Sequence, residues 1–151
     1  MNTRAITNHI SIGGQPNEND LQTLQGKGFR TIINLRDESE NDYRASEERE
    51  VEGRGLNYSS IPISPELLDD MAMQRFANAI DAEDAPPVYI HCAGGGRAGV
   101  LTLIYLAVEN GWSLLETEAT GKELGLVPAS DSPYRTFYED YIRRHSAGER
   151  S

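Results

Sequence analysis

Short apolar segments alternate with longer amphipathic segments along this chain. Four of the short segments predict strands. Those at 29–35 and 88–92 lack polar alternation, as expected for strands covered on both faces. The four predicted strands lie within 9–14, 29–35, 56–63 and 88–92.

Five segments carry apolar residues at helical spacing and predict helices. The first has Asn17 as its N-cap with Asp20 three residues later, and it places Leu21 and Leu24 on one face. The third is apolar on nearly all sides, which is typical of a buried central helix. The five predicted helices lie within 15–28, 64–84, 97–111, 113–124 and 132–145.

Two of these helices have a clear apolar face. In the second helix the packed side is predicted to comprise Leu68, Met71, Phe76, Ala79 and Ile80. In the last helix one stripe is predicted to comprise Tyr134, Phe137, Tyr138, Tyr141 and Ile142.

The segment 36–54 is polar and heavily charged, and it predicts a surface loop or an exposed helix that ends at Gly53 or Gly55. It follows the carboxyl end of a predicted strand, so it could border a ligand site. A solvated surface is the preferred interpretation, because charged runs usually face water.

Strands that alternate with helices predict an α/β fold, and we expect one three-layer sandwich with a central, mostly parallel sheet. No repeat or linker divides the chain, so we expect a single domain over 1–145 and a disordered tail over 146–151. Ligands of such folds bind beyond the carboxyl ends of the strands, and Cys92 follows such an end.

Composition narrows the possible partners. The formal net charge is −10, which argues against nucleic acid as a ligand. The single cysteine excludes an intramolecular disulfide. The apolar run at 100–108 is far shorter than the roughly 20 residues that span a bilayer, and the first residues lack the apolar core of a secretory signal. We therefore expect a cytoplasmic protein without membrane contact, and a monomer by default.

The segment VYIHCAGGGRAG, residues 88–99, carries the candidate chemistry. Gly94, Gly95 and Gly96 allow backbone N–H groups to converge on an anion at the start of a helix. Arg97 adds a planar cation that matches two phosphate oxygens, and the same positive field favours the thiolate of Cys92. The loop is therefore predicted to bind an anion beside a nucleophile. The alternative is a structural cysteine before a glycine-rich turn.

His91 is not expected to act as the base for Cys92, because neighbouring strand residues point to opposite faces. It is predicted to bond to backbone and to support the shape of the loop. His9 and His145 belong to no ligand spacing, so no metal site is predicted.

The VYIHCAGGGRAG segment resembles the active-site loop of cysteine-dependent protein tyrosine and dual-specificity phosphatases. From Ile10 to Val108 the chain resembles the small bacterial phosphatase-like domain that also occurs fused to β-lactamase-like hydrolases. The resemblance implies a compact α/β fold without metal or organic cofactor. It also implies that Cys92 is the nucleophile, and that phosphate is bound by the loop residues Ala93, Gly94, Gly95, Gly96, Arg97 and Ala98.

The chain departs from the main phosphatase pattern at three points. Four residues, not five, separate Cys92 from Arg97, and Ala98 stands where the pattern has a serine or threonine. The aspartate that acts as general acid has no clean counterpart. Glu66 and Asp69 are the first candidates to replace this acid, and Asp70 is a third candidate. The alternative for each of them is that it simply belongs to the charged first turn of a helix.

The leading hypothesis is a phosphatase that hydrolyses phosphate monoesters of proteins or small molecules through a phosphocysteine. Because rhodanese-type sulfurtransferases also have four residues between cysteine and arginine, a persulfide carrier at Cys92 is the second hypothesis. A phosphate-binding module without catalysis is the third.

Overall fold

The computed structural model describes residues 2–146. Its strands are β1 (Thr3–Ala5), β2 (Ile10–Gly13), β3 (Thr31–Asn34), β4 (Asn57–Ser60) and β5 (Val88–His91). Its helices are α1 (Glu18–Gly26), α2 (Glu47–Gly53), α3 (Asp70–Asp81), α4 (Gly96–Asn110), α5 (Leu114–Leu124) and α6 (Arg135–His145).

The five strands form one sheet in the order β1-β2-β5-β3-β4. All neighbours are parallel except β1, which runs antiparallel to β2 at the edge. The last residues of the four parallel strands are in register: Gly13 pairs with His91, His91 with Asn34, and Asn34 with Ser60. The carboxyl ends of these strands therefore share one edge of the sheet, where the following loops meet.

Helices cover both faces of the sheet. Alternate strand residues point to opposite faces, so neighbouring residues of one strand belong to different core clusters. Ile32 and Tyr89 belong to a smaller core cluster with residues of α1 and α2. Ile33 and Ile90 belong to the larger cluster with residues of α3, α4 and α6. The predicted three-layer α/β sandwich with a mostly parallel sheet is confirmed.

Local sequence signals fix two helix starts. The side chain of Asn17 accepts from the backbone N–H of Asp20, and the Asp20 carboxylate accepts from the N–H of Asn17. Ser113 and Glu116 form the same reciprocal pair before α5. The predicted cap at Asn17 is confirmed. The buried helix predicted over 97–111 is also confirmed, since α4 buries residues around most of its circumference.

The helix predicted over 64–84 starts later than expected. Residues 65–67 form a turn, and α3 begins at Asp70 because the Asp69 carboxylate caps it by accepting from the N–H of Ala72 at 2.8 Å. Met71 then lies on the outer side of the first turn with 74% of its surface exposed, so its predicted place on the packed face is wrong.

The sequence pattern gives no sign of β1, because its three residues are exposed and show no alternation. Ser146, which was assigned to the predicted tail, is 1% exposed. The rest of that tail, 147–151, lies outside the described residues. Within residues 2–146, no helix is both long enough and apolar enough to cross a membrane.

Candidate active site

The nucleophile loop joins the end of β5 to the start of α4. Cys92 directly follows β5, and its Sγ accepts a hydrogen bond from the backbone N–H of Gly95 at 2.9 Å. Gly95 is the N-cap of α4 and has φ of 101°, a left-handed value that glycine adopts without steric strain. The sulfur therefore lies at the N-terminus of a 15-residue helix, whose dipole stabilises negative charge.

The end of β2 packs against this loop at very close range. A Cβ on Gly14 would lie 3.0 Å from the carbonyl oxygen of Ala93 in the loop, and a Cβ on Gly13 would collide with the carbonyl oxygen of Asn2 and the Tyr89 hydroxyl. The N–H of Gln15 donates to the carbonyl of Ala93. The adjoining strands thus fix the position of the loop before any ligand arrives.

Arg97 is held by one edge of its guanidinium. Its two terminal nitrogens donate to the two carboxylate oxygens of Glu40 at 2.7 and 2.9 Å, and one of them also donates to the carbonyl of Ile63 at 2.9 Å. Within residues 2–146, no partner bonds to Nε of Arg97. The edge formed by Nε and the adjacent terminal nitrogen can therefore bind two oxygens of an anion.

This ion pair shifts the titration of both groups. The hydrogen bond from Arg97 lowers the pKa of Glu40 to about 2, against the opposing effect of burial. The hydrogen bond to Glu40 raises the pKa of Arg97. Because the pKa of Glu40 lies below that of a free glutamate, its stabilising contribution is complete above about pH 4.5 and is lost as the pH falls towards 2. Glu40 is thus ionised at neutral pH and cannot donate a proton to a leaving group.

A chain of hydrogen bonds leads from Glu40 to the other end of the loop. Nε of Arg36 donates to Glu40 at 3.2 Å, and Nη1 of Arg36 donates to the amide oxygen of Gln15 at 2.8 Å. The amide nitrogen of Gln15 donates to Glu47 at 2.5 Å. Glu47 in turn contacts Nε2 of His91 at 2.6 Å. This path, Arg97–Glu40–Arg36–Gln15–Glu47–His91, is called the polar network below.

His91 and Glu47 form the buried end of the polar network, and both side chains are fully shielded from solvent. The other ring nitrogen of His91 lies 3.2 Å from the carbonyl oxygen of Cys92. Each ring nitrogen therefore has a partner, and neither is the Cys92 sulfur. This arrangement agrees with the predicted support of the loop through its backbone.

The prediction of a solvated surface holds for only part of 36–54, since Glu38, Glu48 and Arg49 are exposed but other charged residues of the segment are not. Arg36 is 5% exposed and Glu47 is fully buried. The segment leaves the carboxyl end of β3 and returns along α2. Glu40 pairs with Arg36 and with Arg97, and Glu47 pairs with His91. The predicted end of a helix at Gly53 is confirmed.

The open side of the loop faces a cavity of about 760 Å³. Cys92, Gly94, Gly95, Gly96 and Arg97 form its floor. The other walls come from the edge of β1 and β2, from α4, and from the connection between α5 and α6. Their lining residues are Asn2, Arg4, Ile12, Gly13, Gly99, Val100, Gly125, Leu126, Val127, Pro128, Ala129, Ser132 and Tyr134.

The remaining predicted site residues lie in different surroundings. Ala98 is fully buried in the first turn of α4, where its methyl group joins the core. Asp69 caps α3 and is absent from the cavity lining. Glu66 is exposed on the turn at 65–67 and also does not line the cavity, but its charge acts on the pKa of Tyr134, which does. Burial is the main cause that raises the pKa of Tyr134, while Arg97 opposes it.

Sequence reasoning did not identify the residues that hold the loop, because their contacts join distant parts of the chain. Glu40 lies 57 residues from Arg97, and Glu47 lies 44 residues from His91. The one available signal was that Gln15, Arg36 and Glu40 follow the carboxyl ends of parallel strands. Among residues 2–146, no cluster of three histidine, cysteine, aspartate or glutamate side chains could hold a metal ion.

Comparison with known families decides the class of this site. Residues 2–127 match the family described as a DSP-PTPase phosphatase fused to NAD⁺ kinase. The chain belongs to this phosphatase family. The match spans the nucleophile loop and the polar network, and it confirms the resemblance to tyrosine and dual-specificity phosphatases. The sulfurtransferase hypothesis is not favoured.

A β-lactamase hydrolase-like protein of Agrobacterium fabrum is 30% identical over 128 residues, which cover 83% of this chain and 30% of that protein. A protein of the same description from Xylella fastidiosa strain Temecula1 is 28% identical over 123 residues. The chain therefore spans less than a third of the length of these curated relatives. The expected likeness to a domain of such hydrolases is confirmed.

The fold of this phosphatase-family chain is also that of solved phosphatase structures. A structure from Shewanella putrefaciens CN-32, described as a phosphatase of the DUF442 group, has a TM-score of 0.79 at 19% identity and covers 95% of this chain and 93% of its own. The C132S form of Pseudomonas aeruginosa TpbA in complex with phosphotyrosine has a TM-score of 0.69 at 17% identity, with 97% and 85% covered.

The buried pair of Glu47 and His91 predicts a large effect on stability. Replacing Glu47 by alanine leaves His91 and Gln15 without their shared partner, and we expect the free energy of unfolding in urea to fall by about 3–5 kcal/mol. The Glu48→Ala control changes an exposed residue of the same helical turn and should cost less than about 1 kcal/mol.

If Glu47→Ala does not fold, the stability of the Glu47→Gln variant is measured instead. It retains a hydrogen-bonding oxygen for His91, so its stability should lie between those of the native protein and of Glu47→Ala. Equal losses in Glu47→Ala and Glu48→Ala would contradict a supporting role for the buried pair.

Proposed function

We propose that this domain hydrolyses phosphate monoesters through a covalent phosphocysteine at Cys92. The observation that carries the proposal is the pairing of two features in one loop. The Cys92 sulfur accepts the N–H of Gly95 at a helix N-terminus, and Arg97, which lines the same cavity, keeps one guanidinium edge unpaired. A nucleophile and an anion-binding fork are thus directed at the same cavity.

In the first step, the Cys92 thiolate attacks phosphorus and forms an S–P bond, while the bond between phosphorus and the ester oxygen breaks. The free edge of Arg97 and the loop N–H groups bind the three peripheral phosphate oxygens as charge develops on them. The leaving oxygen takes a proton from a carboxylic acid.

In the second step, the same carboxylate takes a proton from water, whose oxygen attacks phosphorus. The S–P bond breaks, inorganic phosphate leaves and the thiolate is restored. Ala98 has no hydroxyl with which to assist the departure of the thiolate, so we expect this second step to be slow.

Glu66 is the better supported candidate for the general acid. Asp69 is engaged as the cap of α3. The carboxylate of Glu66 makes no hydrogen bond within residues 2–146, and its charge acts on Tyr134 of the cavity wall. Glu40 is unsuited to the role because Arg97 keeps it ionised.

The substrate is proposed to be a phosphorylated protein or a small phosphoester. Support for a phosphorylated protein as substrate comes from TpbA, whose C132S form was solved in complex with phosphotyrosine. The family match supports phosphate ester chemistry in general.

The first test is turnover of p-nitrophenyl phosphate between pH 5 and 8 by the native protein and by Cys92→Ser. The serine hydroxyl is a far weaker nucleophile than the thiolate, so we expect kcat/KM to fall by about a thousandfold or more. Circular dichroism and the unfolding midpoint establish that both proteins are folded. Unchanged turnover in Cys92→Ser would overturn the proposal, as would a native protein that is inactive but takes up sulfur on Cys92 from thiosulfate.

The second test separates the two candidate acids by the leaving group. An alkyl phosphate needs a proton on its departing oxygen, whereas p-nitrophenolate leaves without one. We therefore expect Glu66→Gln to lower kcat for an alkyl phosphate by about 10²–10⁴-fold and to affect p-nitrophenyl phosphate much less.

Asp69→Asn is the matched control, because asparagine caps a helix as well as aspartate does. It should leave both rates unchanged. The assignment to Glu66 is wrong if Asp69→Asn shows the leaving-group effect and Glu66→Gln does not.

A further inference from the structure

The cavity above Cys92 contains a second arginine that the proposed reaction does not use. Arg4 lies on β1 directly opposite Ile12 of β2, and both residues line the cavity. Cross-strand partners point to the same face of a sheet, so Arg4 is directed to the side on which Ile12 forms the cavity wall.

Arg4 differs from the arginines of the polar network in having no partner. Its side chain is exposed, and within residues 2–146 its guanidinium makes no hydrogen bond or ion pair. Its terminal nitrogens lie 3.7 and 3.8 Å from the position that a Cβ on Gly125 would take. All the donors of its guanidinium are therefore available to a ligand.

The charge of the cavity is unlike that of the whole protein. The chain has 24 aspartate and glutamate residues against 14 lysine and arginine residues. Yet the cavity lining includes two arginines and no carboxylate. The charge of Arg97 is matched by Glu40, which lies behind the loop. Arg4 thus supplies the uncompensated positive charge of this cavity.

The cavity is also larger than one phosphate group requires. Its volume of about 760 Å³ is typical of sites that enclose a small organic ligand. A phosphate bound at Cys92 and Arg97 would occupy the floor, and the space between the floor and Arg4 would remain for the rest of the substrate.

We propose that Arg4 forms a second anion-binding subsite in the catalytic cavity, and that the substrate is a small organic molecule with two phosphate groups. One phosphate would lie at Cys92 and Arg97, and the other at Arg4. This inference rests on the proposed phosphatase function, because it uses the nucleophile loop as the first of the two phosphate sites.

The test measures the binding of a series of alkane bisphosphonates with one to four methylene groups between the two phosphorus atoms. These compounds are not hydrolysed, so calorimetric titration gives their Kd without any need for turnover. Propylphosphonate is the probe with a single anionic group. The proteins are native, Arg4→Gln and Arg30→Gln. Arg30 is an exposed arginine just before the amino end of β3, whereas the cavity lies at the carboxyl ends of the parallel strands, and its replacement changes the net charge equally.

In the native protein and in Arg30→Gln, we expect at least one bisphosphonate to bind about tenfold more tightly than propylphosphonate, which corresponds to about 1.4 kcal/mol. In Arg4→Gln this advantage should fall to less than about threefold, while the affinity for propylphosphonate stays unchanged. Equal affinity of the native protein for all probes would overturn the subsite. An advantage that persists in Arg4→Gln would overturn the role of Arg4.

Two further results separate this inference from its alternatives. Arg4 also lies beside the C-terminus of α5, where a cation could act only on stability. A lower unfolding midpoint in Arg4→Gln with no change in the bisphosphonate advantage would assign it that structural role. If native protein does not bind propylphosphonate at all, the nucleophile loop is not a phosphate site, and the proposed function fails first.

Discussion

The ion pair between Arg97 and Glu40 is the interaction on which the geometry of this site depends. A guanidinium at the floor of a cavity needs a fixed orientation if one edge is to receive an anion. Glu40 and the carbonyl of Ile63 hold the other edge, and Nε is left unpaired in a residue that lines the same cavity as Cys92. The same contact lowers the pKa of Glu40 to about 2, so the pair stays charged throughout the neutral range. A carboxylate of this kind positions the arginine and takes no part in proton transfer.

The polar network extends this control from Arg97 back to the start of the loop. Gln15 joins its two halves, since its amide oxygen accepts from Arg36 while its amide nitrogen donates to Glu47. The opposite orientation of the amide would leave both contacts unsatisfied. Because Glu47 and His91 are fully buried, their pairing is needed to offset the cost of removing them from water. The register of the parallel strands brings these residues together, so fold and site share one constraint.

The sequence predicted the layers of the fold and the position of the nucleophile because both signals are local. Strand composition, the Asn17 cap and the glycine-rich loop each lie within a few consecutive residues. The supporting carboxylates were missed for the opposite reason. Glu40 and Glu47 sit in a run of charges that looks like ordinary surface, and only the pairing of distant strands shows that it folds inward. The edge strand β1, and with it Arg4, escaped prediction because three exposed residues carry no periodic pattern.

The most direct test of the central claim is detection of the covalent intermediate. Native protein is mixed with an aryl phosphate, quenched by denaturation at alkaline pH within the first turnovers because the S–P bond is labile in acid, digested and examined by mass spectrometry. We expect one phosphoryl group on the peptide that contains Cys92, and we expect it to accumulate before steady state because Ala98 offers no hydroxyl to the second step. Turnover of the aryl phosphate with no phosphoryl group on Cys92 at any quench time would rule out a phosphocysteine mechanism.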